Sequence, residues 1–460
     1  MYQCLYYIVC RHCSEIFVAI FLNLWYNSVI GNEALPRDKT LNRLFQLMAS
    51  AIFTQKVSAF LLYKEDFMLT SIAIILISGL FLSFLFTKIR LPGLLGMILA
   101  GILLGPNALN LIDSSILGIS ADLRQIALVI ILTRAGLSLN LSDLKKIGRP
   151  AVLMCFVPAL VEMMGTIIFA PMLFGISTLD AAIMGSVIAA VSPAVVVPRM
   201  IKLIDEGYGK DKSIPKLILA GASVDDVFVI VIFTMLTAFA STGEITGMSF
   251  LQIPLSIALG ILLGVIAGLC LVLFFKKIHI RDSVKVLIIL SISFLLLEAQ
   301  QRLEGIIPLS GLIAVMSMGI TVNQKCNILS ARLSVKYNKL WLGAEIFLFV
   351  LVGVAVDLKY AFAAGLSAIA IVIIALIFRM SGVALSLVKT DLDKKERLFC
   401  MLSYTPKATV QAAIGTIPLA MGLSSGSIVL TVAVISILVT APFGAICIDK
   451  LHKKLLRKSD

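Results

Sequence analysis

Long apolar runs separated by short polar stretches dominate the chain from Met68 to its end. A helix that crosses a bilayer needs about 20 predominantly apolar residues, and thirteen runs approach or exceed that length. They cover residues 68–88, 92–112, 123–139, 150–175, 179–198, 214–241, 249–275, 283–300, 306–323, 340–356, 361–388, 396–421 and 427–449. The pattern predicts an all-α polytopic membrane protein with about 13 transmembrane helices, or 14 if the N-terminal residues also span.

The first 67 residues do not share this pattern. Their apolar runs are short or interrupted by polar side chains, and no convincing signal peptide is present. We interpret residues 1–67 either as an extra weak spanning helix or as sequence upstream of a start at Met68, and we favour the second. Cys10 and Cys13 have the C-x-x-C spacing of metal and redox sites, but one pair alone predicts neither. The transmembrane domain is predicted over residues 68–450, followed by a short cytoplasmic tail over residues 451–460.

The composition and the placement of charge narrow the class of protein. The chain is 60% hydrophobic and 14% charged, with a mean hydropathy of +1.05, which excludes a soluble domain. Its net charge of +13 could suggest nucleic-acid binding, but 27 Lys and Arg residues fall in alternate loops and only three in the opposite set. By the positive-inside rule the basic loops and the C-terminus are cytoplasmic. We therefore expect a multi-pass protein of the cell membrane with no nucleic-acid partner.

Two adjacent acidic residues, Asp225 and Asp226, lie near the middle of the sixth apolar run. A charge at the centre of a spanning helix costs roughly 2.5–3.5 kcal/mol, so an adjacent pair indicates function more strongly than packing. A purely structural pair held by buried cations is the alternative. Successive helical residues differ by about 100° in direction. One carboxylate can therefore line a cavity while the other contacts a neighbouring cation or a broken helix.

The chemistry of this pair suits a transported cation. A hard monovalent cation such as Na⁺ prefers oxygen ligands, including carboxylates. Burial disfavours the charged form of a carboxylate, so either a proton or a cation can neutralise it. Competition between the two is sufficient for exchange. We predict Asp225 and Asp226 as the site for transported Na⁺ and H⁺, without a resident cofactor.

Proline interrupts two apolar runs that are seven runs apart, the fifth and the twelfth. The interrupting residues and their polar neighbours are Ser192, Pro193 and Pro198 in the fifth run and Thr405, Pro406, Lys407 and Pro418 in the twelfth. Because proline removes a backbone donor, both runs are predicted to be broken near mid-depth, although ordinary proline kinks are the alternative. The second and ninth runs share a similar phrase, LPGLLGMILAG and IPLSGLIAVMSMG. In both pairs the similar runs are seven apart. Because successive spanning helices alternate in direction, an odd offset places the two copies in opposite orientation. The sequence therefore predicts two inverted repeats, as found in secondary transporters.

The fourth and eleventh runs, which are also seven apart, each carry one intramembrane charge. Glu162 in the fourth run and Arg379 in the eleventh have opposite signs and predict an ion pair, in which Arg379 is a fixed countercharge. Lys407 is predicted to offset the negative ends of the half-helices that meet at the breaks. Arg134 and Glu345 lie nearer the ends of their runs and are predicted to be structural or gating residues.

Four stretches, LPGLLGMILAGILLGP, AAVSPAVVVPRM, AGASVDDVF and TPKATVQAAIG, resemble in order and spacing the monovalent cation:proton antiporter superfamily. Within it, VSPAVVVP, RAGLSL and PKATVQAAIG are similar to the NHA-type sodium/proton antiporters. The resemblance runs from about Met68 to the end of the chain. It implies a homodimer with 13 or 14 helices per chain, and a core domain in which two crossed, partly unwound helices move in elevator fashion against a dimerisation domain.

The resemblance also assigns roles. It implies that Asp226 is the principal ion and proton site and that the crossed helices correspond to residues 192–198 and 406–407. Many electrogenic relatives carry a lysine paired with the first aspartate where this chain has Arg379. An arginine cannot release a proton as a lysine can, so the resemblance leaves the stoichiometry open.

We expect secondary active exchange of Na⁺ or Li⁺ for H⁺. The first alternative is a K⁺/H⁺ antiporter or potassium efflux protein of the same fold, although those commonly carry a C-terminal nucleotide-binding domain. The second is a non-transporting membrane sensor, which would gain nothing from the cost of the intramembrane charges. An intramembrane enzyme is disfavoured, because no nucleophile–base or metal-ligand spacing appears.

Overall fold

The computed structural model describes residues 68–89, 91–139, 148–242, 247–303 and 307–458. Their regular structure is helical, apart from one isolated backbone bridge between Tyr208 and Lys458. In chain order the helices are α1 (Met68–Lys88), α2 (Gly93–Leu104), α3 (Ser114–Gly118), α4 (Ser120–Ser138), α5 (Arg149–Met154), α6 (Val157–Phe174), α7 (Thr178–Ile188), α8 (Pro193–Asp205), α9 (Ile214–Thr242), α10 (Gly247–Lys277), α11 (Asp282–Arg302), α12 (Gly311–Lys325), α13 (Asn327–Val354), α14 (Leu358–Ser386), α15 (Lys394–Ser403), α16 (Thr409–Ile414), α17 (Ile417–Ala420) and α18 (Gly426–Leu455). The extension predicted over residues 1–67 lies outside the described part of the chain.

Each of the thirteen predicted apolar runs overlaps at least one of these helices. Within the described ranges, eight helical stretches are long and apolar enough to cross a bilayer. They are Met68–Lys88, Arg149–Phe174, Thr178–Asp205, Ile214–Ala240, Leu255–Lys277, Asn327–Val354, Gly365–Ser386 and Gly426–Leu455. The predicted helical, multi-pass architecture is confirmed, whereas the exact number of crossings and the inverted repeat stay predictions.

Glycines allow α2 to pack closely against α13. A Cβ atom at Gly101 would lie 1.9 Å from the carbonyl oxygen of Val350. On the facing helix, a Cβ at Gly353 would lie 2.2 Å from the carbonyl oxygen of Ile98. Any larger residue would force the two backbones apart, so small residues set this helix–helix distance.

The distribution of polarity is inverted relative to a soluble protein. Leu273 on α10 and Leu366 on α14 are 67% and 89% exposed. By contrast, Glu162 and Arg379 are fully buried. Apolar side chains on the outside and paired charges on the inside are what a lipid solvent requires.

Both predicted helix breaks are present. In the fifth run, residues 189–192 are non-helical between α7 and α8, and in the twelfth run residues 405–408 are non-helical before α16. Pro193 occupies the first turn of α8, where no backbone donor is needed. Each break therefore frees backbone groups inside the bundle.

One of the prolines does not act as predicted. Pro198 lies inside α8, which continues to Asp205, whereas Pro418 follows a helix interruption, because α16 ends at Ile414 and Pro418 lies in the first turn of α17. A proline removes only one backbone hydrogen bond, and neighbouring groups can satisfy the carbonyls around it. Next to Pro198 the Arg199 guanidinium donates to the carbonyl oxygen of Val195 at 2.9 Å.

Candidate functional site

The two adjacent aspartates of α9 are both buried but have different surroundings. Asp225 Oδ2 accepts hydrogen bonds from Arg379 Nη2 and from the backbone N–H of Val191, each at 2.8 Å. Asp226 borders a small cavity. This divergence is the arrangement that a 100° step along the helix predicts. One carboxylate belongs to an ion-pair network and the other faces open space.

Glu162 on α6 completes a network of fully buried charges. Its Oε2 lies 2.9 Å from Arg379 Nη1, and its Oε1 lies 2.6 Å from Lys407 Nζ. The predicted Glu162–Arg379 pair is confirmed. The Glu162–Lys407 pair was not predicted, because the sequence related Lys407 only to the helix ends. We call Glu162, Asp225, Asp226, Arg379 and Lys407 the five-charge cluster.

The two non-helical stretches contact one another directly. The backbone N–H of Ser192 donates to the carbonyl oxygen of Pro406 at 2.7 Å. Lys407 Nζ donates to the carbonyl oxygen of Ile188, the last residue of α7. A cation at the C-terminal end of a helix offsets the partial negative charge there. Lys407 therefore occupies the position that the sequence predicted, in addition to its pair with Glu162.

Arg379 contacts both non-helical stretches and the carboxylates of Glu162 and Asp225. Its Nε donates to the carbonyl oxygen of Tyr404 at 2.6 Å, and its Nη1 donates to the carbonyl oxygen of Ala189. The planar guanidinium has five N–H donors in a fixed geometry, which suits four acceptors arranged around it. The contacts explain why an arginine can be fully buried here: backbone and carboxylate oxygens replace its hydration.

The cavity beside Asp226 has a volume of about 20 Å³. Its lining residues are Leu128, Ile131, Leu132, Ala135, Asp226, Ile230, Met316, Thr409 and Val410. Asp226 Oδ1 and Thr409 Oγ1 are buried, and neither has a hydrogen-bond partner among the described residues. A cavity of this size holds about one water-sized particle. Two unpaired oxygens beside it can therefore bind a water molecule or a small cation, or hold a proton on the carboxylate.

Ser192 and Thr405, the hydroxyl residues predicted beside the breaks, differ in their contacts. Ser192 Oγ is buried and has no partner in the described part of the chain. Thr405 Oγ1 donates to the carbonyl oxygen of Leu402 at 2.8 Å, as an ordinary helix-end hydroxyl does. Thus only Ser192 keeps its hydrogen-bonding capacity free.

Two polar residues of the twelfth run were missed by sequence reasoning. Thr409 lines the Asp226 cavity, and Gln411 donates through Nε2 to the carbonyl oxygen of Ala190 at 2.8 Å. Both lie just after the predicted break, in an otherwise apolar run. That placement is the signal that could have identified them.

Arg134 on α4 and Glu345 on α13 are half-buried and interact electrostatically. Arg134 directly precedes Ala135, which lines the Asp226 cavity. The structural or gating role predicted for the two residues stays a prediction.

Comparison with known proteins agrees with this geometry. Residues 72–453 match the family described as "Sodium/hydrogen exchanger, transmembrane". The chain is 34% identical over 387 residues to sodium/hydrogen exchanger 9B2 of Mus musculus, covering 80% of this chain and 69% of that protein. It is 30% identical over 462 residues to sodium/hydrogen exchanger 9B1 of Macaca fascicularis, covering 96% of this chain and 83% of that protein.

The fold has a solved counterpart. The structure of the sodium proton antiporter MjNhaP1 from Methanocaldococcus jannaschii superimposes with a TM-score of 0.74 and 19% sequence identity. The match covers 84% of this chain and 98% of that chain. At this level of identity the similarity concerns the helical architecture.

Proposed function

The chain belongs to the transmembrane sodium/hydrogen exchanger family, and from that premise we propose that it exchanges Na⁺ or Li⁺ for H⁺ at Asp226. One observation supports the choice of Asp226 as the exchanging carboxylate. Glu162 and Asp225 have cationic partners within 3 Å, whereas no Lys, Arg or His nitrogen of the described residues lies within 4.0 Å of Asp226. Asp226 is thus the carboxylate whose negative charge is left for a transported ion.

Exchange follows from competition for this one carboxylate. Burial disfavours the bare charge, so Asp226 is neutralised either by a proton or by a cation. A hard cation in the cavity can take oxygen ligands from Asp226 and Thr409. The relatives at 34% and 30% identity are sodium/hydrogen exchangers by name, which supports Na⁺ over K⁺.

The pairing of the other charges supports an electroneutral cycle. Arg379 and Lys407 offset Glu162 and Asp225, and an arginine does not release its proton under physiological conditions. We further propose that Lys407 keeps its proton in its pair with Glu162. Only Asp226 then changes its ligand, so one Na⁺ replaces one H⁺ per cycle.

Transport also requires that the site face each side of the membrane in turn. We infer alternating access in which the broken helices move as part of a core domain of a homodimer in the cell membrane. The family resemblance supports this inference, as does the joining of the two breaks by backbone contacts.

Proton release on ion binding tests the proposal without a membrane. The full chain is purified in detergent, loaded with protons at mildly acidic pH in weak buffer with a pH dye, and mixed with Na⁺. We expect one proton released per Na⁺ bound, and no release from Asp226→Asn. Asp205→Asn, a change at an exposed aspartate, should behave as wild type. Undiminished release from Asp226→Asn would place the exchanging proton elsewhere.

A further inference from the structure

A second concave site lies outside the five-charge cluster, where the first turn of α15 meets the last turn of α18. It is an open concavity of about 450 Å³. Its lining residues are Asp393, Lys394, Lys395, Lys454, Leu455, Leu456 and Arg457. Four cationic side chains and one carboxylate therefore surround the same space. We call it the basic pocket.

The carboxylate in the lining, that of Asp393, already has partners. Asp393 accepts a hydrogen bond at 2.9 Å from the backbone N–H of Glu396, and so caps α15. This bond, more than any other cause, holds the pKa of the Asp393 carboxyl below its usual value, so the group remains ionised near neutral pH. Its Oδ2 lies 3.8 Å from Arg457 Nη2. Asp393 thereby fixes one cation at the edge of the basic pocket.

The three lysines have no comparable partner. Among the residues that the structure describes, no carboxylate lies within 4.0 Å of the ammonium groups of Lys394, Lys395 and Lys454. The neighbouring Glu396 is paired with Lys212 at 2.7 Å. Like charges that converge on one pocket repel each other, and an anion in the pocket would remove that repulsion.

We propose that the basic pocket binds a phosphate group, carried either by an anionic phospholipid or by a soluble phosphate compound. Lysine binds phosphate as a compact point charge, and arginine binds it through paired N–H donors. The position also suits a headgroup, because α18 is apolar before it reaches this basic end. Basic residues next to a membrane-spanning helix attract anionic headgroups.

Occupancy would act on the helices that hold the transport site. α15 leads directly into the non-helical stretch that carries Lys407. α18 supplies Thr440, whose Oγ1 accepts a hydrogen bond from the backbone N–H of Lys407 at 2.9 Å. A phosphate held by lysines of both helices would cross-link them at one end, so it should raise the melting temperature of the folded protein.

The test uses the full chain with two probes. The first is phosphatidylinositol phosphate in phosphatidylcholine nanodiscs, with plain phosphatidylcholine nanodiscs as reference. The second is soluble inositol trisphosphate added to protein in detergent. For each probe, binding and the change in melting temperature are measured in wild type and in the double variant Lys394→Gln/Lys454→Gln. Loss of two of the four cations should weaken binding roughly 10- to 30-fold.

The matched control is Lys450→Gln/Lys453→Gln, which removes the same charge from exposed positions on α18 outside the pocket lining. It should weaken binding far less than the pocket variant does. Both double variants should melt like wild type without probe, which separates binding from folding. Binding of one probe alone supports the proposal and identifies the phosphate source as lipid or soluble. Equal weakening in the two variants, or binding of neither probe, overturns it.

Discussion

Four members of the five-charge cluster are paired with opposite charges, and one is not. Glu162, Asp225, Arg379 and Lys407 form a chain of contacts between 2.6 and 2.9 Å, all fully buried. Asp226 stands beside them and faces a cavity instead. Two neighbouring carboxylates of the same type thus have different surroundings. In the proposed function, Asp225 holds the broken helix in place and Asp226 exchanges its ligand.

The stabilising role of the buried ion pairs can be tested at Glu162. Glu162→Gln removes the negative charge between Arg379 and Lys407, so part of their buried positive charge becomes uncompensated. Breaking a buried pair in this way costs about 3–5 kcal/mol, and we expect a clearly lower melting temperature in detergent. The same substitution at Glu298, whose carboxylate pairs with Arg302 on the exposed surface, should cost at most about 1 kcal/mol. Equal melting temperatures for the two variants would contradict a stabilising role for Glu162.

The proposed binding of the cation in the Asp226 cavity can be tested at Thr409. Thr409→Val keeps the shape of the side chain and removes the oxygen that faces the Asp226 cavity. A bond to a charged group contributes about 1.5–3 kcal/mol, so the Na⁺ concentration for half-maximal exchange should rise at least about tenfold.

The maximal rate and the melting temperature of Thr409→Val should change little. Thr431→Val is the control, because the Thr431 hydroxyl already donates to the carbonyl oxygen of Ser427 at 2.8 Å. An unchanged Na⁺ dependence in Thr409→Val would remove Thr409 from the list of ligands.

At the scale of secondary-structure elements, the two breaks matter because they place backbone groups where side chains can use them. The freed carbonyls of Ile188, Ala189 and Tyr404 accept from Lys407 and Arg379. The freed N–H of Val191 donates to Asp225. Irregular backbone inside a membrane protein is tolerated where such partners satisfy it.

The second break depends on the surface of α18 that supports it. A Cβ atom at Gly444 would lie 2.3 Å from Pro406 Cγ and 2.8 Å from Thr405 Oγ1. Gly444→Ala should therefore displace the stretch that carries Lys407, lowering stability by about 1–3 kcal/mol and reducing exchange.

A matched substitution separates this clash from the general effect of alanine in a helix. A Cβ atom at Gly343 on α13 meets no heavy atom within 4 Å, so Gly343→Ala should be neutral or stabilising by up to about 1 kcal/mol. If the two variants have the same exchange rate and melting temperature, close packing under the break is not required.

The sequence predicts the helices and their breaks more completely than it predicts the contacts between them. Apolar runs and prolines are local signals, so they located the helices and both breaks. The Glu162–Arg379 pair was accessible because opposite charges are rare in apolar runs and few partners were possible. The second partner of Glu162, Lys407, depends on how two distant runs pack. That contact has no local pattern in the sequence.

For the whole molecule, the same physical constraint explains both the fold and the site. A chain with 60% hydrophobic residues can keep charges inside a bilayer only if each has a partner or a function. Four members of the five-charge cluster have charged partners. The fifth, Asp226, borders a cavity of about 20 Å³, which in the proposed function Na⁺ and H⁺ occupy in turn.

The most direct test of this account is Na⁺-driven proton flux in liposomes that enclose a pH-sensitive dye. The full chain, Asp226→Asn and Asp205→Asn are reconstituted separately, and Na⁺, Li⁺ or K⁺ is added with and without an imposed membrane potential. We predict exchange with Na⁺ and Li⁺ in wild type and Asp205→Asn, the same rate at every potential, and no exchange in Asp226→Asn. Exchange by Asp226→Asn at the wild-type rate would contradict the central claim, and a response to K⁺ alone would contradict the choice of ion.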